Sequence, residues 1–186
     1  MNLSHELAVL KKMADELNEY LLSEVLFWQL TPSPSSFPKL SLGLMLLTRA
    51  RLQGADALLD AGQRAERDQT ERQIETTLGK WQVAAENKAE KELRSRLNLW
   101  QRFLDECRQD GESCADNYPH EVTQRAIISL LLNEFPRLID TPEAKRLTPL
   151  DTLVRGRLTG DEFIWPAELQ SGFPEAEFWY LYGGMG

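Results

Sequence analysis

The chain has few of the residues that most often carry catalysis or cross-link small proteins. It contains two cysteines and two histidines among 186 residues. Two cysteines are too few for a disulfide scaffold and fit a reducing compartment, so we expect two free thiols, although a bond between Cys107 and Cys114 is sterically possible. His5 and His120 each fall in the first turn of an expected helix, where the dipole disfavours a charged imidazole. The sequence therefore predicts no histidine-based catalysis and no enzyme.

Metal and cofactor motifs are absent too. The spacing Cys107, Cys114, His120 lacks the close C-x2–4-C pair of common zinc sites. No glutamate stands three residues before a histidine, as in dinuclear sites of helical bundles. There is neither a phosphate-binding P-loop nor a dinucleotide-binding glycine motif. We therefore predict no catalytic residue, no cofactor and no metal site.

Long apolar runs and excess positive charge are lacking as well. The most apolar windows, residues 40–47 and 126–132, are far shorter than the about 20 residues that span a bilayer. The first residues lack a basic start followed by an apolar run, so no signal peptide is expected. A net charge of −8 argues against binding nucleic acid or anionic membranes through charge alone. We expect a soluble, cytoplasmic protein with no membrane contact.

Proline is missing between residues 39 and 118, a stretch rich in good helix formers. Apolar residues recur there every three or four positions, which predicts one long central amphipathic helix over about residues 64–109. Such a helix is roughly 70 Å long at about 1.5 Å per residue, against a diameter of roughly 32–40 Å for a compact domain of this size. We therefore expect more apolar helical surface than the fold itself can cover. The stripe consists of Ile74, Leu78, Trp81, Ala85, Ala89, Leu93, Leu97, Trp100, Leu104 and Cys107.

The charged residues of this stretch alternate in sign at helical spacing, which is typical of a solvated helix face with weak pairs. Lys88/Glu92 is an example of opposite charges, and Glu71/Glu75 is an acidic pair at the same spacing. Two arginines at positions 49 and 51 form a pair and not a basic patch.

Other helices flank the long one. A first helix opens at Ser4 and carries its apolar stripe as far as Trp28. A proline- and serine-rich segment at 31–38 ends it, and a second helix over about 40–61 folds back to complete a hairpin. After a polar loop at 110–117, Asn117 and Pro119 open a buried fourth helix.

The C-terminal part differs in composition. We predict a helical bundle over 1–140 and a second part, 141–186, that packs on it. Thr141-Pro142 and Thr148-Pro149 each suggest a cap followed by a first-turn proline. The segment 163–166 (Phe-Ile-Trp-Pro) favours extended backbone, and 174–182 a short helix ended by glycines.

Together these patterns predict an all-α fold. Its parts are an N-terminal helical hairpin, one long central amphipathic helix, a buried fourth helix, and short C-terminal helices with an aromatic-rich, partly extended tail.

With no reactive cluster, the favoured function is a non-catalytic helical subunit or adaptor that mediates protein–protein interaction within a larger assembly. Its partner would be another protein or a second copy. Aromatic side chains are the usual anchors of such interfaces, although the aromatic tail could instead cap the bundle. The candidate anchors are Trp81, Trp100, Phe103, Trp165, Phe178, Trp179, Tyr180 and Tyr182.

Two other functions stay open. Arg94, Arg96 and Arg102 flank Trp100 and could make the chain a nucleic-acid-binding subunit of a ribonucleoprotein or defence complex, although nearby acids dilute their charge. A metal-dependent helical-bundle hydrolase would need a convergent acidic site, for which the candidates are Glu16, Glu19, Glu86 and Glu90.

Overall fold

Helix dominates the structure, as the composition predicts. The computed structural model describes residues 2–31, 37–109 and 111–186, apart from the side chain of Glu112. The structure is 76% helical. The described residues form eight α-helices and one small two-stranded sheet, so the predicted all-α class is confirmed. Across these residues, no helix has both the length and the apolar character needed to cross a membrane.

The helices are α1 (Leu3–Leu22), α2 (Leu42–Gly54), α3 (Ala61–Lys80), α4 (Gln82–Cys107), α5 (Gly111–Glu134), α6 (Pro142–Lys145), α7 (Leu147–Arg155) and α8 (Glu175–Phe178), and the strands are β1 (Leu158–Phe163) and β2 (Tyr182–Met185).

The first helix is shorter than predicted. Its cap is Asn2, whose side chain accepts a hydrogen bond from the His5 amide at 3.1 Å. It ends at Leu22 because Ser23 is extended, and Trp28 instead forms an isolated antiparallel bridge with Leu40. The predicted proline- and serine-rich loop falls largely on residues 32–36, which lie outside the described residues.

The prediction of one long helix over 64–109 is wrong, because the backbone breaks at Trp81 (φ −117°, ψ 35°). Gly79 weakens the helix two residues earlier. The Trp81 indole Nε1 donates to Asn18 Oδ1 of α1 at 2.8 Å, which holds the break against the first helix. Two successive helices, α3 and α4, therefore replace the predicted single long helix.

The apolar stripe of α3 and α4 is covered by the chain's own helices. Apart from Trp81, which is partly exposed, every residue of the stripe is at most 8% exposed. The prediction that the helices carry more apolar surface than the fold itself can cover is therefore wrong. Because the backbone breaks at Trp81, α3 packs on α1 and α4 packs mainly on α5.

The start of α5 corrects two further predictions. Residues 111–117 are helical, not a polar loop, and the helix runs through Pro119 instead of opening there; residue 110 lies outside the described residues. Cys107 and Cys114 are joined in a disulfide with a Cα–Cα distance of 4.8 Å, so the expectation of two free thiols is wrong. The bond, which the sequence allows on steric grounds, joins the end of α4 to the first turns of α5.

Short elements form the C-terminal part. Thr141 caps α6 as predicted, since its hydroxyl accepts from the Ala144 amide at 3.2 Å. Thr148 lies inside α7 and caps nothing, contrary to prediction. The extended conformation predicted near Phe163 is present, as this residue pairs with Tyr182 in the β1–β2 ladder. The predicted helix at 174–182 is limited to α8 and one 3₁₀ turn, Trp179–Leu181.

The C-terminal part contacts α2 through a close backbone approach. A 3₁₀ turn, Ala167–Gly172, packs on α2, and Ser171 Oγ donates to the Gly54 carbonyl at 2.8 Å. A Cβ at Gly172 would lie 2.2 Å from the carbonyl oxygen of Ala50. Only glycine fits here without moving backbone.

We expect Gly172→Ala to lower the free energy of unfolding by about 1–3 kcal/mol, because two backbone segments must separate to admit the methyl group. Urea denaturation measures this change. Gly184→Ala is the matched control, since nothing lies within 4 Å of the Cβ it would carry. Equal stability of the two variants would contradict the close-packing argument.

Candidate functional site

Helix α3 packs apolar side chains against the bundle on one side only. Of its 20 residues only Thr70, Ile74 and Leu78 are buried, and these lie on the side that packs against α1. The neighbouring side faces α2 and the end of α5 with charged side chains. Because that side lacks apolar residues, no packing closes the space between them, and a groove remains.

This groove consists of two adjoining cavities of about 680 and 400 Å³. Both cavities are lined by Glu75 of α3 and Glu134 of α5, which mark where they meet. The groove is acidic: six carboxylates against three arginines give 3 − 6 = −3. The carboxylates are those of Asp56, Asp68, Glu71, Glu75, Glu86 and Glu134, and the arginines are Arg49, Arg67 and Arg137. We call this surface the acidic groove.

Arg49 of α2 lies at the centre of the acidic groove. Its Nε donates to Glu71 Oε2 at 2.6 Å, and its other nitrogens lie 3.9 Å from Glu75 and 3.6 Å from Glu134. Burial raises the pKa of Glu71, and the charge of Arg49 acts in the opposite direction. One cation therefore holds three carboxylates from two facing helices, which leaves a local excess of negative charge.

The excess is concentrated on Glu75 and Glu134. Their side chains are 66% and 35% exposed, whereas that of Glu71 is 22% exposed. The Arg49 Nη1 atom nearest Glu134 is buried and has no hydrogen-bond partner within the described part of the chain. Neither carboxylate is thus satisfied by Arg49 through a hydrogen bond, and both keep acceptor capacity towards the open groove.

The ends of the acidic groove are more nearly neutral. Arg67 pairs with Asp56 and Asp68 at one end, and Arg137 pairs with Glu86 at the other. The floor beneath is apolar and largely buried, and includes Leu46, Ala50, Leu78 and Phe135. This arrangement suits a cationic head group held in the middle, with apolar contact below it.

The predicted aromatic anchors divide into two groups. Five are buried and hold the core together, namely Trp100, Phe103, Phe178, Tyr180 and Tyr182. Three are partly exposed, namely Trp81, Trp165 and Trp179. The Trp165 indole donates to the Pro119 carbonyl at 2.9 Å, and Trp179 lies 3.6 Å from the Arg155 guanidinium. The partly exposed three do not line the acidic groove.

The arginines considered for nucleic acid are already engaged with carboxylates. Arg94 bonds Glu143 at 2.8 Å, and Arg102 bonds Glu106 at 2.9 Å. Arg96 is buried and bonds Glu92 at 2.8 Å. With Arg96 and Trp100 both inside the core, the structure does not bring this set to one surface.

Of the four glutamates considered for a hydrolase, Glu16, Glu86 and Glu90 contact different neighbours. Glu16 accepts from the Trp28 indole at 2.6 Å and from the Thr31 amide at 2.8 Å. Glu86 contacts Gln82 and Arg137 at one end of the acidic groove. Over residues 2–31, 37–109 and 111–186, no three His, Cys, Asp or Glu side chains come together as a metal site would require.

The central residues of the acidic groove were missed by the sequence analysis. The sequence pattern pairs Arg49 with Arg51 and predicts a solvated face for Glu71, yet Arg49 and Glu71 form one ion pair. The available signal was weak: α2 is mostly apolar apart from its two arginines (LGLMLLTRARLQG), and burial of an arginine favours a counter-ion. The same signal holds for Arg51, whose Nε is buried without a hydrogen-bond partner among the described residues. No local pattern identifies Glu134 as a third partner, since it lies far along the chain.

The fold and the groove define an all-α bundle with an open acidic groove and a small C-terminal β-ladder. Comparison with protein-family models, curated proteins and solved structures finds no match for this chain.

Proposed function

We propose that the chain is a non-catalytic helical adaptor that binds a basic segment of a partner protein in the acidic groove, as a cytoplasmic subunit of a larger assembly. The observation that carries the proposal is the convergence of Glu71, Glu75 and Glu134 on the single cation Arg49. Three carboxylates around one guanidinium leave a site that attracts a second positive charge.

The occupant that fits is a lysine- or arginine-containing peptide segment. One of its cationic side chains would lie between Glu75 and Glu134, where charge-assisted hydrogen bonds to both carboxylates are available. Its apolar neighbours would contact the edge of the floor near Leu46 and Phe135. From Asp68 to Gly79 the α3 wall is about 17 Å long, which matches about five residues of extended peptide.

The proposal rests on charge complementarity, not on the apolar stripe. The stripe is covered internally, so it offers no docking face, whereas the acidic groove is open along α3. Electrostatic complementarity favours fast and selective association, and such binding weakens as salt is added.

The test uses a short synthetic peptide of lysine, arginine and leucine, and a second peptide in which glutamate replaces every basic residue. We expect the full-length protein to bind the basic peptide and not the acidic one in isothermal titration calorimetry. The double variant Glu75→Lys/Glu134→Lys should weaken binding at least about tenfold, because it places two cations where the peptide's cation would lie.

A matched control separates a site from general attraction to an acidic protein. Asp161→Lys/Glu162→Lys makes the same change in net charge on the exposed strand β1. This control should keep most of the affinity. Equal losses in both double variants, or binding of both peptides by the parent protein, would overturn the proposal. Sedimentation of the peptide-free protein as a dimer that Glu75→Lys/Glu134→Lys dissociates would identify a second copy as the occupant instead.

A further inference from the structure

The first two turns of α5 are weakly anchored. Between Gly111 and Asn117, the only buried side chain among those described is that of Cys114. The other described side chains of this segment are exposed, so little apolar burial holds it in a helix. Helices this short are marginal in water without tertiary contacts.

Pro119 weakens the same segment at its C-terminal end. Pro119 lies inside α5 and has no amide N–H, so the helical hydrogen bond to the carbonyl of Ala115 cannot form. Beyond it the helix is well packed, with Val122, Ala126 and Ile127 fully buried. The proline thus divides α5 into a stable C-terminal part and a poorly supported N-terminal part.

The disulfide supplies the missing anchor. It joins Cys114 to Cys107, the last residue of α4, whose carbonyl accepts from Arg157 Nη1 at 2.8 Å. The local sequence favours a polar loop here, and the helix forms where the covalent bond fixes the segment against α4. The bond therefore holds the segment 111–117 against the end of α4.

The disulfide also borders an open cleft. A cavity of about 420 Å³ between α4 and α5 is lined by both cysteines, with Leu99 and Phe103 on the α4 side and Asn117 on the α5 side. Leu99 is 43% exposed, so this end of the bundle is not sealed by packing. The two cysteines are 2% and 4% exposed, and the cleft is the side from which a reductant would reach the bond.

We propose that Cys107–Cys114 is a reversible redox site, the substrate of a dithiol reductant, and that its reduction unwinds residues 111–117 and removes the α5 wall of the cleft. A reductant thiolate attacks one sulfur and forms a mixed disulfide, and its second thiolate then releases the protein as two thiols. The S–S bond breaks, two S–H groups form, and the reductant becomes a disulfide, so electrons and protons balance.

The experiment treats the oxidised native protein with dithiothreitol or a thioredoxin-class protein in the absence of denaturant. Alkylation and intact mass should show that both thiols become available. Hydrogen exchange read by mass spectrometry should then accelerate at least about tenfold in the amides of 111–118. Exchange in 93–104 and 122–131 should stay unchanged, because the core does not depend on the bond.

The double variant Cys107→Ser/Cys114→Ser is the control. It should show the fast exchange of the reduced protein with and without dithiothreitol, which assigns the effect to these two sulfurs. Release of the thiols only in denaturant, or unchanged protection of 111–118 after reduction, would overturn the proposal. Oxidised-like protection in the double variant would do the same. None of these measurements depends on whether the acidic groove binds a basic segment.

Discussion

Replacing Glu92 with alanine should lower the free energy of unfolding by about 3–5 kcal/mol, because it leaves the buried cation Arg96 without its counter-ion. Both side chains lie inside the core, with Glu92 fully buried and Arg96 nearly so. Urea denaturation followed by circular dichroism measures the loss, on the condition that the transition is two-state.

The geometry explains the size of this effect. Glu92 Oε1 accepts from the Ser41 hydroxyl at 2.7 Å and from Arg96 Nη2 at 2.8 Å, and Oε2 accepts from the Gly43 amide at 2.9 Å. Ser41 and Gly43 begin α2, so the carboxylate also satisfies the positive end of that helix. The Glu92 side chain of α4 thus holds the start of α2 in place and neutralises the charge of Arg96.

Two comparisons test this explanation. Glu90→Ala removes a partly exposed carboxylate 3.8 Å from Arg94 and should change stability by less than about 0.5 kcal/mol. The double variant Glu92→Ala/Arg96→Ala should cost less than the sum of the two single variants, by about 1–3 kcal/mol, because it removes the stranded cation together with its partner. Strict additivity would show that the pair does not interact as described.

Glu92 also shows where sequence periodicity stops being informative. Alternating charges at helical spacing predicted a solvated face that includes Lys88 and Glu92. In the structure Lys88 contacts the carbonyl of Val25 and lies 4.4 Å from the Tyr20 ring, and Glu92 is inside the core. Spacing along one helix does not report what a distant segment places beside it.

The fold class followed from local signals, whereas its breaks depended on distant ones. The absence of proline between residues 39 and 118 and the three-four apolar spacing predicted helices correctly. Trp81, at the break, donates to Asn18, and the helical start of α5 accompanies the bond to Cys107. The first contact joins residues far apart along the chain, so it was not predictable from the residues around the break, whereas the bond spans seven residues and its formation was left open by the sequence.

The acidic groove was not predictable for the same reason. Glu134 ends α5 and Glu75 lies in the last third of α3, and the placement of α2 between them brings both to Arg49. For the aromatic residues, the sequence suggested a binding surface where the structure has core. Their composition suggested binding anchors, yet Tyr180 and Tyr182 are buried because the tail folds back on α5.

Asp151→Ala should lower the free energy of unfolding by about 2–4 kcal/mol, a little less than removing a fully buried counter-ion. Asp151 receives two hydrogen bonds from Arg125, at 2.8 and 2.9 Å, and its side chain is 21% exposed. Without Asp151 the buried guanidinium keeps Ser129 and the ring of Tyr180 as its partners among the described residues. Urea denaturation measures the loss, and limited proteolysis should show faster cleavage within 158–186.

The C-terminal tail should respond because Arg125 supports it directly. The guanidinium lies 4.4 Å from the centre of the Tyr180 ring, the Tyr180 hydroxyl donates to Ser129 Oγ at 2.9 Å, and Tyr118 donates to the Tyr180 carbonyl at 2.6 Å. Asp151→Ala/Arg125→Met removes the charge together with its partner and should be more stable than Asp151→Ala alone. Asp161→Ala, on exposed β1, should leave stability and cleavage unchanged. If Asp151→Ala behaved like that exposed variant, the ion pair would not be what holds the tail, and the aromatic contacts of Tyr180 alone would have to account for its position.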